Sequence, residues 1–149
     1  MKVVIQRVSR ASVRVNNIII GDIGTGLVIF LGVRQGDTGE DAQYLAEKIT
    51  HLRIFADSAG KFNLSARDIR ADILVVSQFT LLADTHKGHR PGFTDAAPAT
   101  EAKVLYEYLL DLLNNSGLKI EKGQFQEKML VEIHNDGPVT IILDSRDRR

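Results

Sequence analysis

Two short segments hold the residues best suited to chemistry. In Ser77-Gln78-Phe79-Thr80-Leu81 an apolar run ends in hydroxyl and amide side chains, just ahead of a basic, Gly-containing stretch. A strand end holds such groups on rigid backbone while leaving them open to solvent. The hydroxyls of Ser77 and Thr80 and the amide of Gln78 can bind a polar ligand, and N–H groups released from the ladder can form an oxyanion hole. The plain alternative is that these residues terminate the strand and satisfy its turn. Thr80 has no base beside it in sequence, and a nucleophile needs one, so this segment alone leaves the reaction open.

The second segment is Asn135-Asp136-Gly137-Pro138-Val139-Thr140, expected as a tight turn between two strands. X-Pro is the one bond type in which cis costs little, and a cis bond would turn two successive carbonyls in nearly the same direction. Such a pair makes a rigid acceptor for an ammonium or amino group without using a side chain. An ordinary hairpin turn with a trans proline is the alternative that X-Pro statistics favour.

Other polar clusters carry weaker signals. Lys87-Gly88-His89-Arg90 groups exposed donors that can contact phosphates, or is simply a solvated loop. The C-terminal Ser145-Arg146-Asp147-Arg148-Arg149 invites the same reading and is expected to fray. Of the four histidines, His51, His86, His89 and His134, only His86 and His89 lie close together. They lack an HExxH pattern, and the chain has no cysteine, so no metal site is expected. Missing cysteines also remove disulfides and thiolate nucleophiles and fit a reducing, cytoplasmic setting.

The elements that must position these residues follow from periodicity. β-Branched runs at Val3 to Val8, Ala11 to Val15, Ile18 to Ile20 and Leu27 to Val33 predict strands. Thr38-Gly39-Glu40-Asp41 is a weak capping box, after which Ala42, Leu45, Ala46, Ile49 and Leu52 recur at helical spacing. Arg53 to Ala56 and Ile73 to Phe79 predict further strands, the second apolar on successive positions as a strand covered on both faces requires. A second helix begins near Pro98 and runs through Val104, Leu105, Tyr108, Leu109 and Leu112 to Asn114-Asn115-Ser116-Gly117. Lys119 to Gln124, Lys128 to Asn135 and Val139 to Leu143 close the chain as strands.

Such an order predicts an α+β fold: a curled, mostly antiparallel sheet or partial β-barrel with two main helices packed outside. The 149 residues make a single domain over 1–149, and 44% hydrophobic with 26% charged residues is the balance of a globular protein. Nineteen basic residues against 19 acidic ones leave no net charge, so any nucleic acid must be held by a local basic patch. No signal-peptide h-region and no apolar run near ~20 residues is present, so a soluble, cytoplasmic protein without membrane contact is expected.

The two segments together resemble the signature motifs of the D-aminoacyl-tRNA deacylases, also called D-Tyr-tRNA(Tyr) deacylases. Ile5-Gln6-Arg7-Val8, Ala11-Ser12-Val13, Leu52-Arg53-Ile54-Phe55 and the stretch from Lys87 to Ala97, with Arg90-Pro91 and Phe93-Thr94-Asp95-Ala96-Ala97, are similar to the same family. The likeness implies hydrolysis of the ester between a D-amino acid and the terminal ribose of tRNA, extending to glycine mischarged on tRNA(Ala). It implies a homodimer with active sites at the subunit interface, no cofactor, and contact with the acceptor end of aminoacyl-tRNA. Ser77, Gln78, Phe79 and Thr80 would be the catalytic segment, and Phe79 would flank the terminal adenosine unless it is a buried strand residue. Gly137-Pro138, cis and held by Arg7, would gate the amino group and exclude L-amino acids, while Lys87, His89 and Arg90 would touch tRNA. Two rivals stand beside this reading: a nucleic-acid-binding dimer without chemistry, and a general esterase with Thr80 as nucleophile, against which the missing GxSxG elbow counts.

Overall fold

One long strand organises the sheet. The computed structural model describes residues 1–148, and in it β1 (Lys2–Val15) pairs antiparallel with β2 (Ile18–Ile23) through its second half and with β3 (Gly26–Gly32) through its first. Its other edge is covered along nearly its whole length by β8 (Leu130–Asp144). The two predicted runs Val3 to Val8 and Ala11 to Val15 are therefore one strand. Polar Ser9 and Arg10 break the apolar pattern, yet Arg10 stays in the ladder opposite His134.

Helix α1 (Gly39–His51) crosses over before the short pair β4 (Phe55–Ala56) and β5 (Phe62–Leu64), the one-turn α2 (Ala66–Ile69) and β6 (Asp72–Ser77). β6 lies parallel to β3, and β7 (Ile120–Lys122) lies parallel to β6 after α3 (Ala99–Asn114). Gly26 permits the β3–β6 approach: a Cβ there would sit 1.9 Å from the Asp72 carbonyl oxygen. The sheet is thus mixed and nearly closed. Lys119 on the β7 side donates to the Asp22 carbonyl of β2 at 3.2 Å.

Alternation along β3 and β6 builds two cores. Leu27, Ile29, Leu31, Ile73 and Val75 face the helices, where Leu45, Ile49, Leu109 and Leu113 meet them. Val28, Leu74 and Val76 face the other way, into a barrel interior with Val8, Val13 and Ile23. The expected double coverage of Ile73 to Val76 holds. So does the capping box of α1: the Thr38 N–H donates to Asp41 Oδ2 at 2.7 Å. Val104, one of the residues through which the second helix was expected to run, lies in α3 and is exposed.

Several boundaries differ from expectation, among them Lys119 to Gln124, which shrinks to Ile120–Lys122, and Ile18 to Ile20, which extends to Ile23. The predicted strand Arg53 to Ala56 shrinks to Phe55–Ala56, because the Arg53 side chain is engaged with Asn63 and the Ile54 carbonyl accepts from Arg7. The strand expected to reach Phe79 stops at Ser77, and Phe79–Leu82 wind into a 3-10 turn. Residues 145–148, expected to fray, are instead tied down: Ser145–Asp147 form a 3-10 turn, Ser145 is buried against the Met1 ammonium at 2.6 Å, and Arg148 pairs with Asp41 at 2.8 Å. Arg149 lies outside the described residues. Burial opposes ionisation of Asp144 just before this turn, but hydrogen bonds from Arg34 and the Arg146 N–H outweigh it and hold the carboxyl below its ordinary value.

The largest correction concerns Gly137-Pro138. The two predicted strands Lys128 to Asn135 and Val139 to Leu143 are not a hairpin but one strand, β8, pairing with β1 on both sides of the motif. Gln6 faces Thr140 and Val8 faces Asn135, so the four residues Asp136 to Val139 bulge out opposite Arg7. The Asn-Asp-Gly-Pro pattern reads locally as a turn, but β1 is long enough to template the strand before and after it.

Candidate active site

Ser77 ends β6 beside Leu31, the last-but-one residue of β3, so the segment from Ser77 to Thr80 stands at the C-terminal end of the parallel pair. The Gln78 N–H still donates to the Leu31 carbonyl at 2.7 Å, after which the backbone leaves the ladder. Phe79 and Thr80 open the 3-10 turn, where N–H groups have no partner within the turn. Neither N–H finds an acceptor among the described residues. Two adjacent backbone donors therefore stand unpaired just past a rigid strand end, the kind of group from which an oxyanion hole can be built. The Gln78 amide donates to Thr80 Oγ1, which makes Gln78 a holder of the threonine and no base for it.

Phe79 is 59% exposed, so it is not the buried strand residue weighed above. Its ring packs edge-on against Phe93 with centroids 5.0 Å apart. Together with Ser77 it forms the rim of a cavity of about 390 Å³ whose walls include Leu31, Val33, Phe125 and Tyr106. Four alanines, Ala96, Ala97, Ala99 and Ala102, keep this slot open. Its lining carries no carboxylate, imidazole or amine, and Tyr106 is pushed up to about 12 by burial, with Glu107 adding to the shift. The chamber suits a flat heterocycle between aromatic and aliphatic walls.

The sequence reading gave Phe93, Ala96 and Ala97 no site role and missed Phe125, Tyr106, Gln126, Ala99 and Ala102. A lone aromatic in the polar stretch from Gly123 to Lys128 was the available signal for Phe125. Gln126 there adopts φ 65° and lines the cavity beside it. Lys87, His89 and Arg90 sit on an exposed loop whose ends are joined by reciprocal hydrogen bonds of 2.8 Å between Asp84 and Gly92. His86 turns back onto Asp84 at 2.5 Å.

Arg7 and Gly137 form a second cluster. The Gly137–Pro138 bond is cis and Gly137 has φ 124°. Arg7 Nε donates to the Asp136 carbonyl at 3.2 Å, and its Nη1 donates to the Ile54 carbonyl at 2.8 Å. Arg7 is thus engaged with this motif and is no free surface arginine. Asn135 braces the far side of the bulge, its Oδ1 accepting from the Val139 N–H at 3.2 Å.

The two clusters do not meet within one chain. Arg7 lies opposite Leu27 and Ser77 opposite Leu31, a distance of about 13 Å along β3. No residue from 135 to 140 lines the cavity beside Ser77. Gly137 and Pro138 are exposed on β8, whose outer edge pairs with no strand among the described residues.

Known proteins share this architecture. Residues 4–144 match the family model described as D-Tyr-tRNA(Tyr) deacylase. A D-aminoacyl-tRNA deacylase of Dehalococcoides mccartyi is 60% identical over 148 residues, 99% of this chain and 97% of that protein. One of Anaeromyxobacter dehalogenans is 53% identical over 146 residues, 98% of each. Among solved structures, one titled c-Myc DNA Unwinding Element Binding Protein superposes with a TM-score of 0.91 at 42% identity, covering 97% of this chain and 98% of its own. A probable eukaryotic D-amino acid tRNA deacylase, 16% identical with a TM-score of 0.83 over 95% of this chain and 97% of its own, shares the fold. On its sequence match, its relatives and its fold, the chain belongs to the D-Tyr-tRNA(Tyr) deacylase family.

Proposed function

We propose that the chain hydrolyses the ester joining a D-amino acid, or glycine, to the terminal ribose of tRNA. The observation that carries this reading is the pair of unpartnered N–H groups of Phe79, which lines the apolar slot, and of Thr80 next to it in the chain. The terminal adenine enters the slot beside Phe79 and Phe125, which brings the ester carbonyl to the two donors. Water adds to the carbonyl carbon while the neighbouring ribose 2′-hydroxyl takes up its proton and relays one to the departing ribose oxygen, the N–H groups stabilise the oxyanion, and the carbon–oxygen bond to the ribose breaks to leave free amino acid and a ribose hydroxyl. An aminoacyl ester with a neighbouring 2′-hydroxyl is already reactive, so positioning and oxyanion binding suffice.

Chirality is assigned to Gly137-Pro138 acting from a second copy of the chain. The separation of the two clusters within one chain supports that arrangement, as does the open β8 edge with Leu130 and Ile142 64% and 65% exposed. Acceptors that fix the amino group leave one direction for the side chain, so L-amino acids are excluded and glycine, with none, is accepted. Lys87, His89 and Arg90 supply a few phosphate contacts at the acceptor end, in keeping with zero net charge. The setting is the cytoplasm, where charged tRNA is found; no helix among the described residues is long and apolar enough to cross a membrane.

Hydrolysis of D-Tyr-tRNA, L-Tyr-tRNA and Gly-tRNA with and without EDTA tests the reading. Release of D-Tyr and Gly but not L-Tyr, unchanged by EDTA, is the expected result; equal release of L-Tyr, or release from none, overturns it. The name of the neighbour that is 42% identical favours one second reading, nucleic-acid binding, and tRNA retention with no release of amino acid would put that in place of hydrolysis.

Thr80→Ala separates positioning from nucleophilic attack. With only the Gln78 amide on its hydroxyl among the described residues, Thr80 has no activator there, so the variant keeps measurable D-Tyr-tRNA hydrolysis. Complete loss with normal folding and tRNA binding would instead make Thr80 the nucleophile.

A further inference from the structure

The Arg7 guanidinium is held on three sides. Its Nη1 reaches the Ile54 carbonyl, its Nε reaches the Asp136 carbonyl, and its face lies under the Phe62 ring with the central carbon 5.3 Å from the centroid. Phe62 is 57% exposed, an unusual place for a large apolar ring. The hairpin that presents it is firmly tied. Asp57 accepts the Ala59 and Lys61 N–H groups at 2.8 and 3.0 Å, and the Lys61 bond above all holds its carboxyl below the ordinary range. Arg53 Nε donates to the Asn63 carbonyl at 2.8 Å, next to Phe62.

The grip of Arg7 on the bulge is weaker than its grip on the hairpin. The Asp136 carbonyl is 3.2 Å from Nε, and the Asp136 carboxylate, 3.6 Å away, is 61% exposed. An exposed ion pair of this length contributes little on its own. What keeps the guanidinium plane aimed at the Asp136–Gly137 backbone is the combination of the short Ile54 bond at one edge and the aromatic face above. Gly137 depends on that aim, since Nη2 stands 3.0 Å from where a Cβ would be.

We propose that Phe62 is a positioning residue for the stereochemical gate: its ring fixes the Arg7 guanidinium, and Arg7 in turn fixes the Gly137 backbone. The inference rests on the deacylase reading above, because it assigns that backbone a role in accepting D- and rejecting L-substrates. Phe62 does not touch substrate. It makes residues 55–64 a strap that couples the hairpin to β8.

The test compares Phe62→Ala, Phe62→Leu and Phe62→Tyr, each alone and in an Arg7→Ala background, with melting curves as a folding control. Loss of an exposed cation–π contact predicts that Phe62→Ala and Phe62→Leu lower kcat/KM for D-Tyr-tRNA about two- to fivefold and narrow the D-over-L ratio by a similar factor. Hydrogen exchange of amides in residues 135–140 quickens in both variants. Phe62→Tyr restores rate, ratio and exchange, and Phe62→Ala changes nothing further once Arg7 is alanine. Phe62→Leu equal to wild type, or the same loss persisting without Arg7, overturns the proposal. A wild-type chain that releases no amino acid while exchange still follows the Phe62 series supports the positioning and overturns the deacylase reading.

Discussion

Gly137→Ala is expected to lower kcat/KM for both D-Tyr-tRNA and Gly-tRNA by about a hundredfold, the usual cost of a ~1 Å misplacement at a reacting centre. Two observations demand this. Gly137 has φ 124°, a conformation that L side chains rarely adopt. An added Cβ would also sit 2.9 Å from Val139 Cγ2 and 3.0 Å from Arg7 Nη2. The backbone must therefore rotate, Arg7 must withdraw, or both, and each displaces the acceptors assigned to the substrate's amino group. The bulge is exposed and bordered by ladder on both sides, so the strain stays local, on the order of 1–3 kcal/mol, and the variant remains folded. Single-turnover deacylation at 25 °C, with a melting curve for each protein, measures both halves. A folded variant with wild-type rates on both substrates would remove Gly137 from the gate.

The same bulge marks where sequence reasoning stopped. Local grammar was enough for α1, because Thr38, Asp41 and the spacing of Ala42, Leu45 and Ile49 all lie within one segment. It was enough for β6, where an unbroken apolar run admits burial on both faces. Asn135 to Pro138 carry the residues of a turn, and only the partner strand, more than a hundred residues earlier, makes them a bulge in one continuous edge. Arg7 was legible through family likeness alone, since its anchors at Ile54 and Phe62 are distant in sequence and neither is polar in its side chain. The motif from Ser77 to Thr80 was legible as polar groups at a strand end. The cavity behind it was not, because α3, the 93–97 stretch and Phe125 each contribute apolar residues that look like ordinary core.

That cavity supplies the second large effect. Ala96→Phe is expected to raise KM about ten- to a hundredfold for D-Tyr-tRNA and Gly-tRNA alike, the range that loss of one stacked base predicts. Ala96 is half-buried on the wall of the slot, its N–H bonded to the Phe93 carbonyl at 3.1 Å, so its side chain projects from a fixed backbone. A benzyl group there takes the place of a flat ligand between Phe79 and Phe125. The change leaves Gly137, Arg7 and the Phe79 and Thr80 donors where they are, so kcat at saturating substrate and the D-over-L ratio stay near wild type. Overpacking at a partly open wall costs about 1–3 kcal/mol, within what a folded domain of this size tolerates. Gly137→Ala and Ala96→Phe thus fail in different ways. The first loses transition-state positioning, the second loses binding shared by ground and transition states, and steady-state kinetics over a substrate range separates them. An Ala96→Phe protein with unchanged KM would mean that the terminal base lies outside this slot, and with it the path by which the ester reaches the N–H pair.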